Sequence, residues 1–316
     1  MTIGVIGAGA IGGWVAARLA LAGNRVAVLA RGETLRALQS GLSVREHGIA
    51  EHAQVHASDD PEQLGEQDLL VIAVKAPALA AVARLARPMI GPDTLIMPML
   101  NGVPWWFLGD WPLDSVDPGG EIAACLPYDQ LIGCVVHAAC RRTAPNEVEV
   151  VHADKLIIGE PGGAASERVA ETFAVLEKAG LRPDISNNVR RAIWYKLWGN
   201  MTMNPLSALT LATADRLLSN QPMRPFILAC MAEAAEIGAA IGCPISESGE
   251  DRMAVTARLG AFKTSMLQDV EAGRAIELEA LVGAPLEIAR RVGIATPNID
   301  QLYGMTRLMA ESRGLI

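Results

Sequence analysis

The chain has 316 residues, of which 51% are hydrophobic, and it carries a formal net charge of −8. This hydrophobic content is typical of a folded chain and not of a disordered one, and the length favours two domains. The acidic balance argues against general binding to nucleic acid or to anionic membranes, so a small molecule is the expected partner.

A glycine fingerprint follows the first apolar run, TIGVI, and opens a helical pattern. In Gly7-x-Gly9-x-x-Gly12, the first glycine permits a tight turn, the second lets a pyrophosphate approach the backbone, and the third lets helix and strand pack closely. The strand and helix context makes the fingerprint a strong indication of dinucleotide binding. The predicted cofactor-binding residues here are Gly7, Gly9, Ala10, Ile11 and Gly12.

The end of the second predicted strand, RVAVLA, indicates which dinucleotide is bound, because Arg31 follows it. An NAD site usually has an acidic residue there for the ribose 2′-hydroxyl, whereas a guanidinium suits a 2′-phosphate. The sequence therefore favours NADP(H). The alternative is that Arg31 is only a surface residue, and Glu33 two positions later keeps NAD(H) open.

Strands alternate with helices through the first half of the chain, a pattern typical of a parallel sheet with crossover helices. Two further strands, DLLVIAV and TLIMPM, are followed by Lys75 and by Asn101. Ligands of such sheets bind beyond the carboxyl ends of the strands, so both residues are candidates for contacts to the ribose or nicotinamide. A capping role is the alternative for each.

Four segments between residues 42 and 180 complete the predicted N-terminal domain. Residues 42–58 predict two short antiparallel strands around His47 and Gly48, and LIGCVVHAACR and EVEVVH predict two more. A helical pattern then ends at Gly180. From Asn188 onward only helical patterns remain. We therefore predict a Rossmann-type doubly wound α/β domain at residues 1–187 and an all-α domain at residues 188–316.

A polar row lies in the apolar segment WYKLWGNMTMNPLSALT, where Lys196, Asn200 and Asn204 are spaced by four residues. On a helix these residues share one face, with a drift of about 40° per step. Pro205 disfavours a regular helix, so the row is predicted to end at a kink. The row is either a solvated helix face or one wall of a substrate pocket.

Several expectations concern location and metals. Five cysteines without a C-x-x-C pair indicate free thiols in a reducing compartment. No signal peptide and no good membrane-spanning run is present, which predicts a cytoplasmic protein. His47, His52 and His56 have no carboxylate or cysteine at ligand spacing, so no metal site is predicted. The sequence leaves room for a homodimer through the helical domain.

Five motifs together resemble the ketopantoate reductase (2-dehydropantoate 2-reductase) family over nearly the whole chain. They are GAGAIGG near the start, VKAP at 74–77, LNGV at 100–103, YKLWGNMTMNPLSALT at 195–210 and KTSMLQDVEAGRAIEL at 263–278. The resemblance implies a C-terminal domain like that of 6-phosphogluconate dehydrogenase. It also implies NADPH-dependent reduction of a 2-keto acid to a 2-hydroxy acid, namely ketopantoate to (R)-pantoate in pantothenate biosynthesis.

The resemblance also implies roles for individual residues. Lys196 is similar to the catalytic lysine of the family and would act as general acid while hydride passes from nicotinamide C4 to the keto carbon. Glu277 is similar to the active-site glutamate, and Asn200, Asn204 and Ser265 resemble the substrate-binding residues. Lys75 and Asn101 resemble the pair that contacts the cofactor and the reacting end of the substrate. Arg31 resembles the arginine that holds the 2′-phosphate.

The sequence departs from the family pattern at two places. An aromatic tract, Trp105-Trp106-Phe107, follows the LNGV motif, and Val282 stands where an asparagine is expected. The tract is either a lid that shapes a pocket for a different or larger 2-keto acid, or simply core packing and an interface. A D-2-hydroxyacid dehydrogenase acting on another branched or aromatic 2-keto acid is therefore the close alternative. A non-catalytic NADP(H) sensor is the alternative from another class.

Overall fold

Ten strands lie in the first 185 residues of the computed structural model, which describes residues 1–316. The strands are β1 Thr2–Ile6, β2 Arg25–Leu29, β3 Leu42–Glu46, β4 Ile49–Ala53, β5 His56–Ser58, β6 Leu69–Ile72, β7 Leu95–Pro98, β8 Gly133–Ala144, β9 Glu147–Gly159 and β10 Pro183–Ile185.

Six α-helices are interspersed with these strands, and seven follow them. The first six are α1 Ala10–Leu21, α2 Gly32–Leu38, α3 Pro61–Leu64, α4 Leu79–Leu85, α5 Glu121–Cys125 and α6 Glu167–Lys178. The other seven are α7 Val189–Thr210, α8 Ala214–Ser219, α9 Arg224–Ala240, α10 Gly249–Ala257, α11 Ser265–Glu271, α12 Ala284–Val292 and α13 Pro297–Arg313.

A five-stranded parallel sheet has the strand order β5-β2-β1-β6-β7. Its central strands are buried along almost their whole length, and Ile3 of β1 pairs with Val26 of β2 and Leu69 of β6. Continuous apolar strands of this kind are typical of parallel sheets covered on both faces. The four strands predicted for this sheet, and the helix predicted to open in the glycine fingerprint, are confirmed.

The segment 42–58 forms three strands, not the two predicted. β3 and β4 pair antiparallel around the turn at His47 and Gly48, as expected. The third strand, β5, instead joins the parallel sheet beside β2. The sequence did not predict this strand because it has only three residues, and its pairing is decided by a distant strand and not by a local pattern.

A second sheet is built on the long hairpin of β8 and β9. Strand β9 pairs antiparallel with β8 and in parallel with β3 and with β10. Helix α1 packs against strands of both sheets. This accounts for its apolar sequence on all sides, AIGGWVAARLAL, and for Gly13, where a Cβ atom would lie 2.8 Å from the Val148 side chain.

The chain divides into two units that differ from the predicted domains at one segment. Met1–Leu100 and Gly120–Val189 form the N-terminal unit, and Asn101–Gly119 and Arg190–Ile316 form the helical unit. Residues 101–119 thus group with the helices, although the sequence assigned them to residues 1–187. The physical reason is packing, since the fully buried Phe107 ring of this segment stacks on Trp194 of α7.

The helical unit consists of helices and turns only, as predicted, and α7 runs through Pro205 to Thr210. Pro205 therefore does not end the helix. A proline in a helix leaves a carbonyl without its usual donor. Here that carbonyl is the one of Met201, four residues before Pro205. Beyond the proline, Ser207 Oγ donates to the Asn204 carbonyl at 2.8 Å and Thr210 Oγ1 to the Leu206 carbonyl at 2.6 Å.

The five cysteines are free thiols, as predicted. Burial raises the pKa of Cys230 to about 12, with the nearby Glu233 carboxylate adding to the shift. A thiol with so high a pKa is protonated at neutral pH and poorly nucleophilic. None of the helices is long and apolar enough to span a lipid bilayer.

Candidate active site

The glycine loop between β1 and α1 has the geometry that a pyrophosphate requires. Gly7 has a φ of +97°, and a Cβ atom there would lie 2.5 Å from the Ala73 carbonyl oxygen. A Cβ atom at Gly12 would lie 2.1 Å from the Gly7 carbonyl oxygen, so helix and loop can approach only without side chains. Gly9 has open space before it and directly precedes α1, which leaves room for an anion at the helix N-terminus.

A cavity of about 400 Å³ adjoins this loop in the N-terminal unit. Its apolar wall comes largely from α4 and the turn before it, and its polar groups stand around the end of β2. The lining residues are Ile6, Gly7, Ala8, Gly9, Leu29, Ala30, Arg31, Thr34, Asp59, Val74, Ala78, Ala81, Val82, Leu85 and Arg142. An apolar slot beside a glycine loop and a cationic rim fits the adenosine half of NADP(H).

Arg31 and Lys75 both belong to this unit. Arg31 is exposed at the position before α2 and lines the cavity. It makes no ion pair that would neutralise its charge. Lys75 is half-buried after β6, and its side chain does not cap the short turn that it precedes. Val74 and Ala78, on either side of Lys75, line the cavity. The capping alternative for the Lys75 side chain is therefore not supported.

Lys196 and Asn101 are in direct contact within the helical unit. Lys196 Nζ donates a hydrogen bond to Asn101 Oδ1 at a distance of 2.9 Å, across 95 residues of sequence. Lys196 comes from α7, and Asn101 is the first residue of the segment 101–119. This contact places an ammonium group beside an amide. A site that reduces a carbonyl group needs such a pair, namely a proton donor and a second polar group near the carbonyl oxygen.

The polar row on α7 is not a solvated face. Asn204 is only 5% exposed, and Lys196 and Asn200 are half-buried. Trp194 and Trp198 are almost fully buried, and their indole N–H groups donate to carbonyls of α9 at 3.1 and 2.8 Å. Burial of the row favours the pocket interpretation, because an unused amide on a helix surface would remain in water.

Ser265 lies next to Asn204, at the start of α11. Asn204 Nδ2 donates to Ser265 Oγ at 3.4 Å, and Ser265 itself is exposed. Thr264, which caps α11 by accepting from the Leu267 N–H at 3.2 Å, also bonds to Ser207 of α7. The cap thus fixes the start of α11 against the polar row and explains why a threonine precedes Ser265. Glu277 is 8% exposed in the same unit.

The aromatic tract after Asn101 is core packing. Trp105, Trp106 and Phe107 are at most 5% exposed, and the Phe107 ring stacks on Trp194 with centroids 6.0 Å apart. The Arg190 guanidinium also lies over the Phe107 ring, 5.3 Å from its centroid. The burial of all three side chains favours core packing over a lid.

The segment 101–119 is also anchored at two polar points that the sequence did not indicate. Near its start, the Val103 N–H donates at 2.8 Å to the carbonyl of Ala280, which belongs to the π-helical turn Glu279–Gly283, as does Val282. Further along, the N–H groups of Asp114 and Ser115 donate to the two carboxylate oxygens of Glu287 at 3.1 and 2.9 Å. These two sets of hydrogen bonds hold the segment 101–119 in place, and with it Asn101 at its start.

Glu287 is expected to stabilise the fold in a pH-dependent way. Burial raises its pKa, but the bonds from Ser115 and Asp114 and the charge of Arg291 outweigh burial, so the pKa is lowered. A lowered folded-state pKa gives stability that is present above the unfolded pKa, about 4.3, and is lost as pH falls through the folded value.

Replacing Glu287 by Gln should therefore lower the free energy of unfolding by about 1–3 kcal/mol at pH 7, because one amide oxygen replaces a charged acceptor pair. Urea unfolding at pH 7 and near pH 3 measures this, and the gap to wild type should shrink in acid. Glu311→Gln is the matched control, since its pair with Arg307 is half-exposed on α13. An equal loss at both pH values would contradict the electrostatic origin.

Comparisons with known proteins agree with these features. The family model described as ketopantoate reductase PanE/ApbA matches residues 3–163, and the model of its C-terminal domain matches residues 188–310. The 2-dehydropantoate 2-reductase of Mesorhizobium japonicum is 39% identical, with 99% of each chain covered.

Solved structures give the same result. A putative ketopantoate reductase from Ralstonia solanacearum MolK2 is 50% identical, with a TM-score of 0.96 over 100% of this chain and 99% of that one. The 2-dehydropantoate 2-reductase of Methylococcus capsulatus is 29% identical, with a TM-score of 0.86 over 99% of this chain and 98% of that one. The predicted fold class, a parallel-sheet α/β domain followed by a helical domain, is confirmed.

Proposed function

The chain belongs to the ketopantoate reductase family, and from this premise we propose that it reduces 2-dehydropantoate to (R)-pantoate with NADPH. Within this chain, the observation that best supports the proposal is the hydrogen bond between Lys196 Nζ and Asn101 Oδ1. This bond joins Lys196, whose ammonium group can transfer a proton, to Asn101. Asn101 follows β7, the last strand of the parallel sheet, in sequence.

Lys196 acts as the general acid. Bound NADPH supplies the hydride that adds to the keto carbon. The keto oxygen gains a negative charge in this step, and Lys196 Nζ donates the proton that converts it to a hydroxyl group. The ammonium charge also stabilises the developing oxyanion before the proton moves. Asn101 accepts from Nζ and thereby fixes the direction of the ammonium group.

The remaining helical-unit residues bind and orient the substrate. Asn200 and Asn204 can each donate and accept, which suits a substrate hydroxyl group, and the near burial of Asn204 makes its amide a fixed partner. Ser265, at the start of α11 beside Asn204, is placed for the substrate carboxylate. Glu277 is a buried carboxylate of the same unit. We assign it the role of a negative charge that favours the protonated form of the Lys196 amine.

The N-terminal unit holds the cofactor. Gly7, Gly9 and Gly12 leave space for the pyrophosphate to approach the backbone. Ala10 and Ile11 supply the first N–H groups of α1, which can donate to the pyrophosphate. Arg31 binds the 2′-phosphate at the rim of the cavity, and Lys75, after β6, contacts the cofactor at the neighbouring strand end.

A panel of 2-keto acids tests the proposal, with NADPH and NADH oxidation followed by absorbance. We expect ketopantoate and NADPH to give the highest kcat/KM. Preference for NADH and an aromatic 2-keto acid would instead support a D-2-hydroxyacid dehydrogenase, and binding of NADPH without oxidation by any keto acid would support a sensor.

A further inference from the structure

Arg142 lines the same cavity as the glycine loop and Arg31, although it lies far from both in sequence. It belongs to β8, near the tip of the hairpin with β9. Its Nη1 atom donates to Thr34 Oγ1 of α2 at 3.5 Å, across 108 residues of sequence. The hairpin of the second sheet therefore brings a guanidinium to the end of β2, where the ribose of a bound dinucleotide is expected.

The neighbouring arginine has a different environment. Successive side chains of a strand point to opposite faces, so Arg141 and Arg142 face different sides of the hairpin. Arg141 Nη2 pairs with Glu149 of β9. Arg142 makes only the contact with the neutral hydroxyl of Thr34, and no carboxylate compensates its charge. An arginine at a cavity rim that makes no ion pair with a carboxylate is available to bind an anionic ligand.

Arg31 and Arg142 both lie close to the beginning of α2. Arg31 directly precedes this helix, and Thr34, the partner of Arg142, lies in its first turn. A phosphate monoester carries a charge of about −1.5 to −2 at pH 7. A second guanidinium at the same point matches that charge better than one alone, and its planar fork suits phosphate oxygens.

We propose that Arg142 binds the 2′-phosphate of NADPH together with Arg31 and so sets the preference for NADPH over NADH. The inference rests on the proposed function, which supplies the cofactor class. Asp59 lines the same cavity and is the carboxylate that a ribose 2′-hydroxyl of NADH could use. With two guanidinium groups against one carboxylate, the local charge at the cavity rim favours the phosphorylated ribose.

The test compares Arg142→Gln with Arg141→Gln, the adjacent arginine on the other face. The dissociation constants of NADPH and NADH are measured by fluorescence titration without any keto acid, and adenosine 2′-monophosphate is used as a competitor. For Arg142→Gln we expect NADPH and adenosine 2′-monophosphate to bind about 10- to 100-fold more weakly, and NADH within about twofold of wild type. Arg141→Gln should leave all three within about twofold of wild type.

Two results would overturn the proposal. One is an equal loss of NADPH and NADH affinity in Arg142→Gln, which would mean that the substitution disturbs the hairpin and not a phosphate contact. The other is an unchanged affinity for NADPH. Neither result depends on turnover, so a chain that binds NADPH through Arg142 but oxidises it with no keto acid would refute the proposed reaction and leave this inference intact.

Discussion

Replacing Lys196 by Met is expected to lower kcat by about 10²- to 10⁴-fold, while NADPH binding stays near that of wild type. Methionine has a similar length and no transferable proton, so the oxygen of the reduced substrate loses both its acid and a positive charge. The cofactor residues proposed above, except Asn101, lie in the N-terminal unit, which does not contain Lys196. Steady-state kinetics and a fluorescence titration with NADPH separate the two effects.

Two further variants identify the cause of the loss. Lys196→Arg keeps the charge, but a guanidinium does not give up its proton at neutral pH, so kcat should remain far below wild type. Lys178→Met is the matched control, because Lys178 is exposed in the last turn of α6. Near-normal turnover in Lys196→Met would remove Lys196 from the mechanism. Recovery of most activity in Lys196→Arg would reduce its role to charge alone.

The parts of the fold that the sequence predicted are those with a local cause. Strands β1, β2, β6 and β7 are short apolar runs between glycine-rich or polar turns, and α1 opens in the glycine fingerprint. Each of these patterns is contained in fewer than about 15 residues, which is the range over which periodicity is informative. The helical spacing of the polar row on α7 was also apparent, but the sequence predicted that the row ends at a kink and did not indicate that the helix continues through Pro205 to Thr210.

The parts that escaped prediction depend on distant partners. Strand β5 is identified only by its pairing with β2, and residues 101–119 are grouped with the helices through packing such as that of Phe107 on Trp194. Proline likewise predicts a break from local geometry alone, whereas a helix held along its length by packing tolerates it.

The candidate site divides in the same way. Lys196, Asn200 and Asn204 share a helix face and could be singled out from their spacing. The burial of Asn204 and the partial burial of Lys196 and Asn200, which disfavour a solvated face, required the structure. Arg142 and Glu287 were missed because their contacts to Thr34 and Ser115 span 108 and 172 residues of sequence. The catalytic and binding roles, the cytoplasmic location and a homodimer stay predictions.

The second large effect is expected from Gly102, which directly follows Asn101. Gly102 has a φ of +80°, and a Cβ atom there would lie 2.3 Å from the Ala280 carbonyl oxygen and 2.9 Å from the Ala280 side chain. Both the backbone conformation and the neighbouring backbone therefore exclude a side chain. Because the Val103 N–H is bonded to the same carbonyl, the strain cannot be relieved without moving the start of the segment.

Gly102→Ala should thus displace Asn101 from Lys196 and lower kcat by about 10²-fold, the usual effect of a misplacement near 1 Å. Gly119→Ala is the matched control, since Gly119 has a φ of +73° but a Cβ atom there would meet no other atom within 4 Å. It carries the same backbone strain without the clash, so its turnover should stay within a fewfold of wild type, about as expected for a strained loop residue alone.

A double variant shows whether the loss acts through Asn101. If Gly102→Ala works by moving that amide, adding it to Asn101→Ala should lower kcat little further, because two changes that break one contact are not additive. Thermal unfolding of each variant checks that the helical unit remains folded. Full additivity, or normal turnover in Gly102→Ala, would mean that the position of Asn101 does not depend on the close packing of Gly102 against Ala280.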